Sequence, residues 1–321
     1  MKAQLLAFLS AVVIFCLMAY VHIGLEVRFN IDFDANLTRP CGCNRCVMEL
    51  NEDPWFTDRF RSSVPIMLNS RTYNLSGTTK KWWMRLQRLN SGSNKNYEVI
   101  KDSLFSLFPD VQYYNDSSHD RCRTCAVVGN SANLIGSFYG PLIDAHDFVI
   151  RMNQGPTKGF ETDVGTRTTH RAMYPVSAMD MDNSTHMVLL PFSVRDLEWL
   201  ISAFTTKHIN RTHTAVRATL EANKDKVIIM NPEFMKYVHA YWLKGRGRIP
   251  STGLIMLIFS LHVCDQVNVF GFGADRRGRW LHYFDNTHQP RFNKGNHKGS
   301  YERGILLDLQ RKKKVTIYKG W

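Results

Sequence analysis

Three places in this chain carry side chains able to handle a proton, a phosphate or a sugar hydroxyl. The first is Ala126-Val127-Val128-Gly129-Asn130-Ser131-Ala132-Asn133, an apolar run that stops at a glycine and continues in amides and a hydroxyl. Gly129 lets the backbone turn tightly, and the amides of Asn130 and Asn133 can each donate and accept. A second run, Asp147 to Met152, ends on another amide, Asn153. Two strands delivering amides to one sheet edge suit a base, a ribose or a phosphate, although an ordinary turn uses the same letters. The second place is Ser251-Thr252-Gly253, heading the apolar stretch Gly253–Val263. A hydroxyl there caps the helix; the same end exposes unpaired N–H groups and the positive end of the dipole, which suits a phosphate or carboxylate. The third is a pair of histidines. His282 lies in the aromatic Trp280-Leu-His-Tyr-Phe-Asp285, where packing is the ordinary role, and His297 in the polar Lys294-Gly-Asn-His-Lys-Gly-Ser300, where a core role does not fit.

The elements that must position these groups follow from hydrophobic periodicity. Met187–Pro191, Lys226–Met230 and Gln266–Gly271 read as strands; Val194–Ala203, Glu233–Leu243 and Gly253–Val263 read as helices. Strands alternating with helices predict an α/β fold, a mainly parallel twisted sheet with helices on both faces. Residues 69–80 and 90–96, rich in Asn, Ser, Gly and Thr, read as loops flanking an amphipathic helix, Trp82–Leu89.

The wording of these stretches resembles the animal sialyltransferases. Cys122 to Arg171 is similar to that family's large sialyl motif. Pro250-Ser251-Thr252-Gly253 through Val263-Cys264-Asp265 to Phe270-Gly-Phe-Gly273-Ala-Asp275 resembles the small motif, His282-Tyr-Phe-Asp285 the third, and His297 with Glu302 five residues on the very small one. The order is also the family's. Cys41-Gly-Cys43-Asn-Arg-Cys46, Trp82-Trp-Met-Arg-Leu-Gln87 and Asp196-Leu-Glu-Trp199 point to the α-2,3 branch acting on Galβ1-3GalNAc.

At 321 residues the chain has room for one large catalytic domain or two small ones, and no internal repeat is found. Leu5 to Leu25 is almost wholly apolar, with Lys2 before it and no charge until Glu26. That reads as an uncleaved signal anchor: a cytosolic tail at 1–4, a transmembrane helix at 5–25, a stem at 26–40 and a lumenal catalytic domain at 41–321. Five Asn-x-Ser/Thr sequons, at Asn36, Asn74, Asn115, Asn183 and Asn210, agree with a lumenal route. The net charge of +13 invites nucleic acid, membranes or anionic ligands, but the anchor and sequons argue against nucleic acid. Cys43/Cys46 and Cys122/Cys125 have zinc-ribbon spacing, yet a secretory lumen favours disulfides, and the six cysteines outside the anchor leave no orphan.

The resemblance implies more. It implies a GT-A-like, Rossmann-type nucleotide-binding fold, Golgi residence as a single-pass type II protein, and transfer of sialic acid from CMP-sialic acid to the 3-hydroxyl of galactose. It pairs Cys125 with Cys264, Cys43 with Cys122 and Cys41 with Cys46. It puts the donor against Asn130, Ser131, Asn153 and Ser251-Thr252-Gly253, with Gly273, Trp280 and His282 completing that side. The acceptor falls to Gln87 and Tyr174. His297 becomes the general base, His282 serves the leaving phosphate, and Glu302 orients His297 or pairs with Lys298 or Arg303. No metal or cofactor is implied, because CMP is a monophosphate leaving group that a histidine and helix dipoles can stabilise. Asp180-Met-Asp182, a literal Asp-x-Asp outside the matching motifs, reads as a coincidence. Two residues depart from the branch: Ile249 and His213 stand where it has tyrosine, which bears on acceptor selectivity. The alternatives are a different acceptor, an α-2,6 or α-2,8 linkage, or a non-catalytic lumenal glycan-binding protein.

Overall fold

The structure, a computed structural model, describes residues 14, 17–21, 40–49, 53–87, 97–108, 110, 114, 116–285 and 297–320. Its strands are β1 (Thr124–Val128), β2 (Phe148–Met152), β3 (His170–Met173), β4 (His186–Leu189), β5 (Val227–Ile229), β6 (Gln266–Phe270) and β7 (Thr316–Tyr318). They form one sheet in the order β5-β4-β3-β2-β1-β6-β7, and every pairing is parallel. Val127 at the centre lies beside Ile150 on one side and Val269 on the other. Continuous apolar runs make such strands because parallel sheets are covered on both faces.

The helices are α1 (Pro54–Thr57), α2 (Gly77–Gln87), α3 (Tyr97–Leu107), α4 (Gly140–Asp144), α5 (Glu161–Val164), α6 (Val194–Phe204), α7 (Pro232–Tyr237), α8 (Thr252–Val263) and α9 (Gly299–Arg311). The alternation of β1 splits them between two unequal cores. Cys125 and Val127 belong to the larger, with residues of α2, α3, α6, α7, α8 and α9. Ala126 and Val128 belong to a thin core with Ile143 of α4, Val164 of α5 and Tyr283. Helix α8 is buried on nearly every side, from Leu254 through Leu261. At about 1.5–3 kcal/mol for each fully buried Leu, Ile or Phe, its burial fixes it firmly against the sheet. The cysteines pair as Cys41–Cys46, Cys43–Cys122 and Cys125–Cys264, the last tying β1 to the end of α8.

Some elements differ from expectation. The loop read over 69–80 is helical from Gly77, because the Ser76 hydroxyl accepts from Thr79 N–H at 3.2 Å and caps α2. The helix read over Glu233–Leu243 is α7 followed by a π-helical turn, Val238–Trp242, which ends with Trp242 fully buried edge-on to Trp55 and Phe56. Most of the anchor and stem lies outside the described residues, among which no helix is long and apolar enough to cross a membrane. Asn74, Asn183 and Asn210 are exposed; Asn36 and Asn115 lie outside the described residues.

Candidate active site

Strands run outward from β1 through β2, β3, β4 to β5, and the chain then returns to lay β6 against the other side of β1. The crevice beyond the carboxyl ends of β1 and β6 is therefore the sheet's switch point, where open α/β folds bind ligands. Gly129 and Gly271 make it possible. A Cβ on Gly129 would lie 2.3 Å from the Gly271 carbonyl oxygen, and Gly271 has φ of +69°. With both backbones this close, Gly129 N–H donates to Phe270 O at 2.7 Å and Ser131 N–H to Gly271 O at 3.1 Å.

The residues after these glycines line one cleft of about 600 Å³, which contains Asn130, Ser131, Asn153, Ser251, Thr252, Gly253, Gly273, Trp280, His282 and His297. Each amide is half engaged in the scaffold. Asn130 Nδ2 donates to Met152 O at 3.2 Å, and Asn153 Oδ1 accepts from Ser177 Oγ at 2.7 Å. The Asn130 oxygen faces Gly155, where a Cβ would lie 2.3 Å from it, and the Asn153 nitrogen has no protein partner among the described residues. Ser131 Oγ donates to Gly273 O at 2.7 Å, locking the two turns together.

Asn153 itself sits in the left-handed region, φ 53°, and the buried Arg171 holds its carbonyl. Arg171 Nη1 donates to the carbonyls of Asn153 at 2.8 Å and Gly155 at 3.1 Å. Arg151 Nη2 donates to Val164 O at 2.7 Å and Arg167 O at 2.8 Å, and burial pulls its pKa down to about 10. The Tyr283 hydroxyl adds a bond to Pro156 O at 2.6 Å. Segment 153–167 is thus fastened from below.

The two histidines come to the same cleft from different directions. His282 bridges Ser131 in antiparallel fashion, with Ala132 N–H donating to Leu281 O at 2.8 Å and Tyr283 N–H to Asn130 O at 3.0 Å. Its Nδ1 lies 3.2 Å from Asp285 Oδ2, and its ring stacks on Phe284. His297, just before α9, has Nδ1 at 3.0 Å from the Ile249 carbonyl oxygen. A carbonyl only accepts, so Nδ1 carries a hydrogen, and in the neutral ring the lone pair is on Nε2. That is the tautomer a general base needs.

Glu302 does something else than expected. Its carboxylate accepts from Ser251 N–H at 2.9 Å and from the Ser251 hydroxyl. Ser251 Oγ meanwhile accepts from Leu254 N–H at 3.1 Å, capping α8. Glu302 on α9 therefore fixes the N-terminus of α8 rather than holding His297, Lys298 or Arg303.

Tyr174, His213 and Ile249 also line the cleft, together with Phe192, Asp196 and Arg248. Gln87 ends α2, and its neighbour Leu86 lines the cleft. Asp196 is wholly buried; its Oδ2 accepts from the N–H groups of Phe192 and Ser193 at 2.9 Å, and burial raises its pKa to about 7. The ring of Phe192 meets Tyr174 edge-on. Asp196 appeared in the sequence only as part of a motif, and Arg248 not at all. The signal available for both was proximity to motif residues. Asp180 and Asp182 lie elsewhere: Asp180 pairs with Arg217 at 2.7 Å, and Asp182 Oδ1 accepts from Ser184 and Thr185 N–H. Among the described residues no group of three His, Cys, Asp or Glu could hold a metal ion.

Residues 67–314 match the model of glycosyltransferase family 29, the sialyltransferases. The chain belongs to that family. It is 46% identical over 285 residues to the CMP-N-acetylneuraminate-beta-galactosamide-alpha-2,3-sialyltransferase 1 of Sus scrofa, covering 88% of this chain and 82% of that one. Sialyltransferase 2 of the same description from Mus musculus is 44% identical, with 88% and 81% covered. A mammalian sialyltransferase crystal structure superposes with TM-score 0.82 at 44% identity, covering 88% of this chain and 100% of that chain. Another, in complex with Gal-beta-1-3GalNAc-ortho-nitrophenol, gives 0.80. The family read from the motifs of this chain is thus borne out.

Proposed function

We propose that this chain is an inverting α-2,3-sialyltransferase that moves sialic acid from CMP-sialic acid to the 3-hydroxyl of galactose on a Galβ1-3GalNAc acceptor. Support comes from the activities of its relatives, at 44–46% identity over most of the chain. The observation that carries the mechanism is the His297 Nδ1–Ile249 carbonyl bond at 3.0 Å in the cleft wall. His297 Nε2 takes the proton of the galactose 3-hydroxyl as its oxygen attacks the anomeric carbon of the sialic acid. The bond from that carbon to the phosphate oxygen breaks, and CMP departs with the electron pair. His282, in its doubly protonated form with Nδ1–H on Asp285, donates Nε2–H to the departing phosphate. The N-terminus of α8, fixed by Ser251 and Glu302, adds N–H donors and dipole.

The donor contacts are Asn130, Ser131, Asn153, Ser251, Thr252, Gly253, Gly273 and Trp280, and the acceptor contacts are Gln87 and Tyr174. The reaction uses no metal or cofactor. In the cell the protein is anchored in the Golgi membrane by residues 5–25, as type II, with stem 26–40 and lumenal domain 41–321. An acceptor panel with CMP-sialic acid tests the reading, with linkage analysis of the product in the presence of EDTA. The expected product is α-2,3-sialylated Galβ1-3GalNAc. An α-2,6 or α-2,8 product, or activity lost to EDTA and restored by Mn²⁺, overturns it.

A further inference from the structure

The cleft does not end at His297. Beside it lies a second depression of about 480 Å³, lined by Arg246, Gly247, Lys298, Ser300 and Tyr301. The same two segments build both hollows. Arg248, Ile249, His297 and Arg303 line the cleft, while Arg246 and Lys298, two residues and one residue away along the chain, line the depression. The Arg246 guanidinium lies 4.4 Å over the Tyr301 ring, which holds an exposed cation in place without neutralising it. Arg248 Nη2 donates to Leu86 O at 3.0 Å. Among the described residues, none of Arg246, Arg248, Lys298 and Arg303 forms an ion pair. The carboxylate on this side of the cleft, Glu302, is taken by Ser251.

We infer that this depression is an outer acceptor subsite that recognises acidic side chains of the polypeptide carrying the glycan. The inference rests on the function proposed above. There the group deprotonated by His297 belongs to the acceptor, so the cations next out from His297 meet the acceptor rather than the donor. The hollow is concave and is lined by two cations and an aromatic ring, which suits an extended acidic segment more than a flat lipid surface. Exposed cations attract such a segment at long range, and salt screens the attraction.

The test uses the full chain in neutral detergent and two Galβ1-3GalNAc glycopeptides that differ only in flanking Asp or Asn, with Galβ1-3GalNAc-nitrophenol as a neutral reference. At low salt, kcat/KM is expected to be about fivefold or more higher for the Asp peptide, the scale of one or two exposed ion pairs, and carried by KM. The preference fades at about 1 M salt. Arg246→Gln with Lys298→Gln removes it, and Arg246→Glu with Lys298→Glu reverses it, while the nitrophenyl acceptor is used as before. Equal use of the two peptides by the wild type at low salt overturns the subsite, as does a preference that survives the Glu pair. A preference only for a glycolipid acceptor in phosphatidylserine vesicles also overturns it, in favour of a membrane-facing patch. Failure to sialylate the nitrophenyl acceptor at all is a failure of the function itself, and the subsite falls with it.

Discussion

The molecule holds two pairs of histidines at opposite ends of its sheet, and they are put to opposite uses. His170 and His186 open β3 and β4 at the amino ends of the strands, stacked with ring centres 4.8 Å apart. His170 is almost fully buried, with both nitrogens engaged: Nε2 meets the Tyr114 hydroxyl at 2.7 Å and Nδ1 the Thr169 hydroxyl at 2.9 Å. His282 and His297 lie beyond the carboxyl ends, half-buried, each with Nδ1 tied to one oxygen and Nε2 without a partner among the described residues. The same side chain is structural where both nitrogens are spoken for and chemical where one is left over. Burial decides the protonation state in the first pair, pushing His170 down to about 3. In the second, the Ile249 carbonyl puts the hydrogen of His297 on Nδ1, and Asp285 holds Nδ1–H of His282.

The largest way to break this contrast is at His297. With its base removed, His297→Ala is expected to lose ~10²-fold or more in turnover while CMP affinity, read by calorimetry, stays nearly intact. His282→Ala is expected to weaken CMP binding and turnover together, by the roughly 1.5–3 kcal/mol of a charge-assisted hydrogen bond. Near-normal turnover in His297→Ala means the base lies elsewhere. Lost CMP binding in that variant instead means the two histidines exchange roles.

The buried pair makes a smaller, different prediction. His170 has a folded pKa near 3 against an ordinary 6.5, so between these values the unfolded chain binds the extra proton. Stability is intact above about pH 6.5 and falls as the pH drops toward 3. His170→Gln, which keeps hydrogen-bonding capacity without that titration, is expected to flatten the acid limb of a denaturant-midpoint profile. Its turnover at neutral pH should change little. An acid limb identical to wild type means that His170 does not set it.

What was legible in the sequence follows the same division. β1, β6 and α8 were readable because each is a continuous apolar run with its end marked by Gly129, Gly271 or Ser251. β3 was not: two of its four residues are His170 and Arg171, whose burial depends on Tyr114, Thr169 and the carbonyls of Asn153 and Gly155. No local pattern announces partners supplied from elsewhere in the chain. The cleft shows the same limit. Ser251 reads as a cap from its neighbours alone, but the partner of Glu302 lies 51 residues away and only the fold brings them together. Asn130 and Asn153 were visible as amides after strands, whereas Asp196 reaches the cleft wall because α6 packs beside Tyr174 and Phe192.

Asp196 tests the boundary between the two classes, because it is buried like His170 and yet lines the cleft like His297. Burial raises its carboxyl from 3.8 to about 7, against the opposing pull of the Ser193 hydroxyl and the Phe192 and Ser193 N–H groups. The folded chain therefore binds the extra proton between these values, so the stability linked to it is present below about pH 4 and lost as the pH rises toward 7. Asp196→Asn keeps an acceptor for the two N–H groups and does not titrate. Measured against pH, the wild type is expected to lose stability relative to the variant from pH 4 to 7, a modest effect that denaturant midpoints resolve. Turnover at neutral pH should fall by no more than a few-fold if Asp196 only positions Phe192 against Tyr174. If the two stability profiles run parallel, the carboxylate is ionised throughout and Asp196 belongs with the working residues of the cleft. A loss of turnover as deep as that of His297→Ala would place it there as well, with its second oxygen on the acceptor.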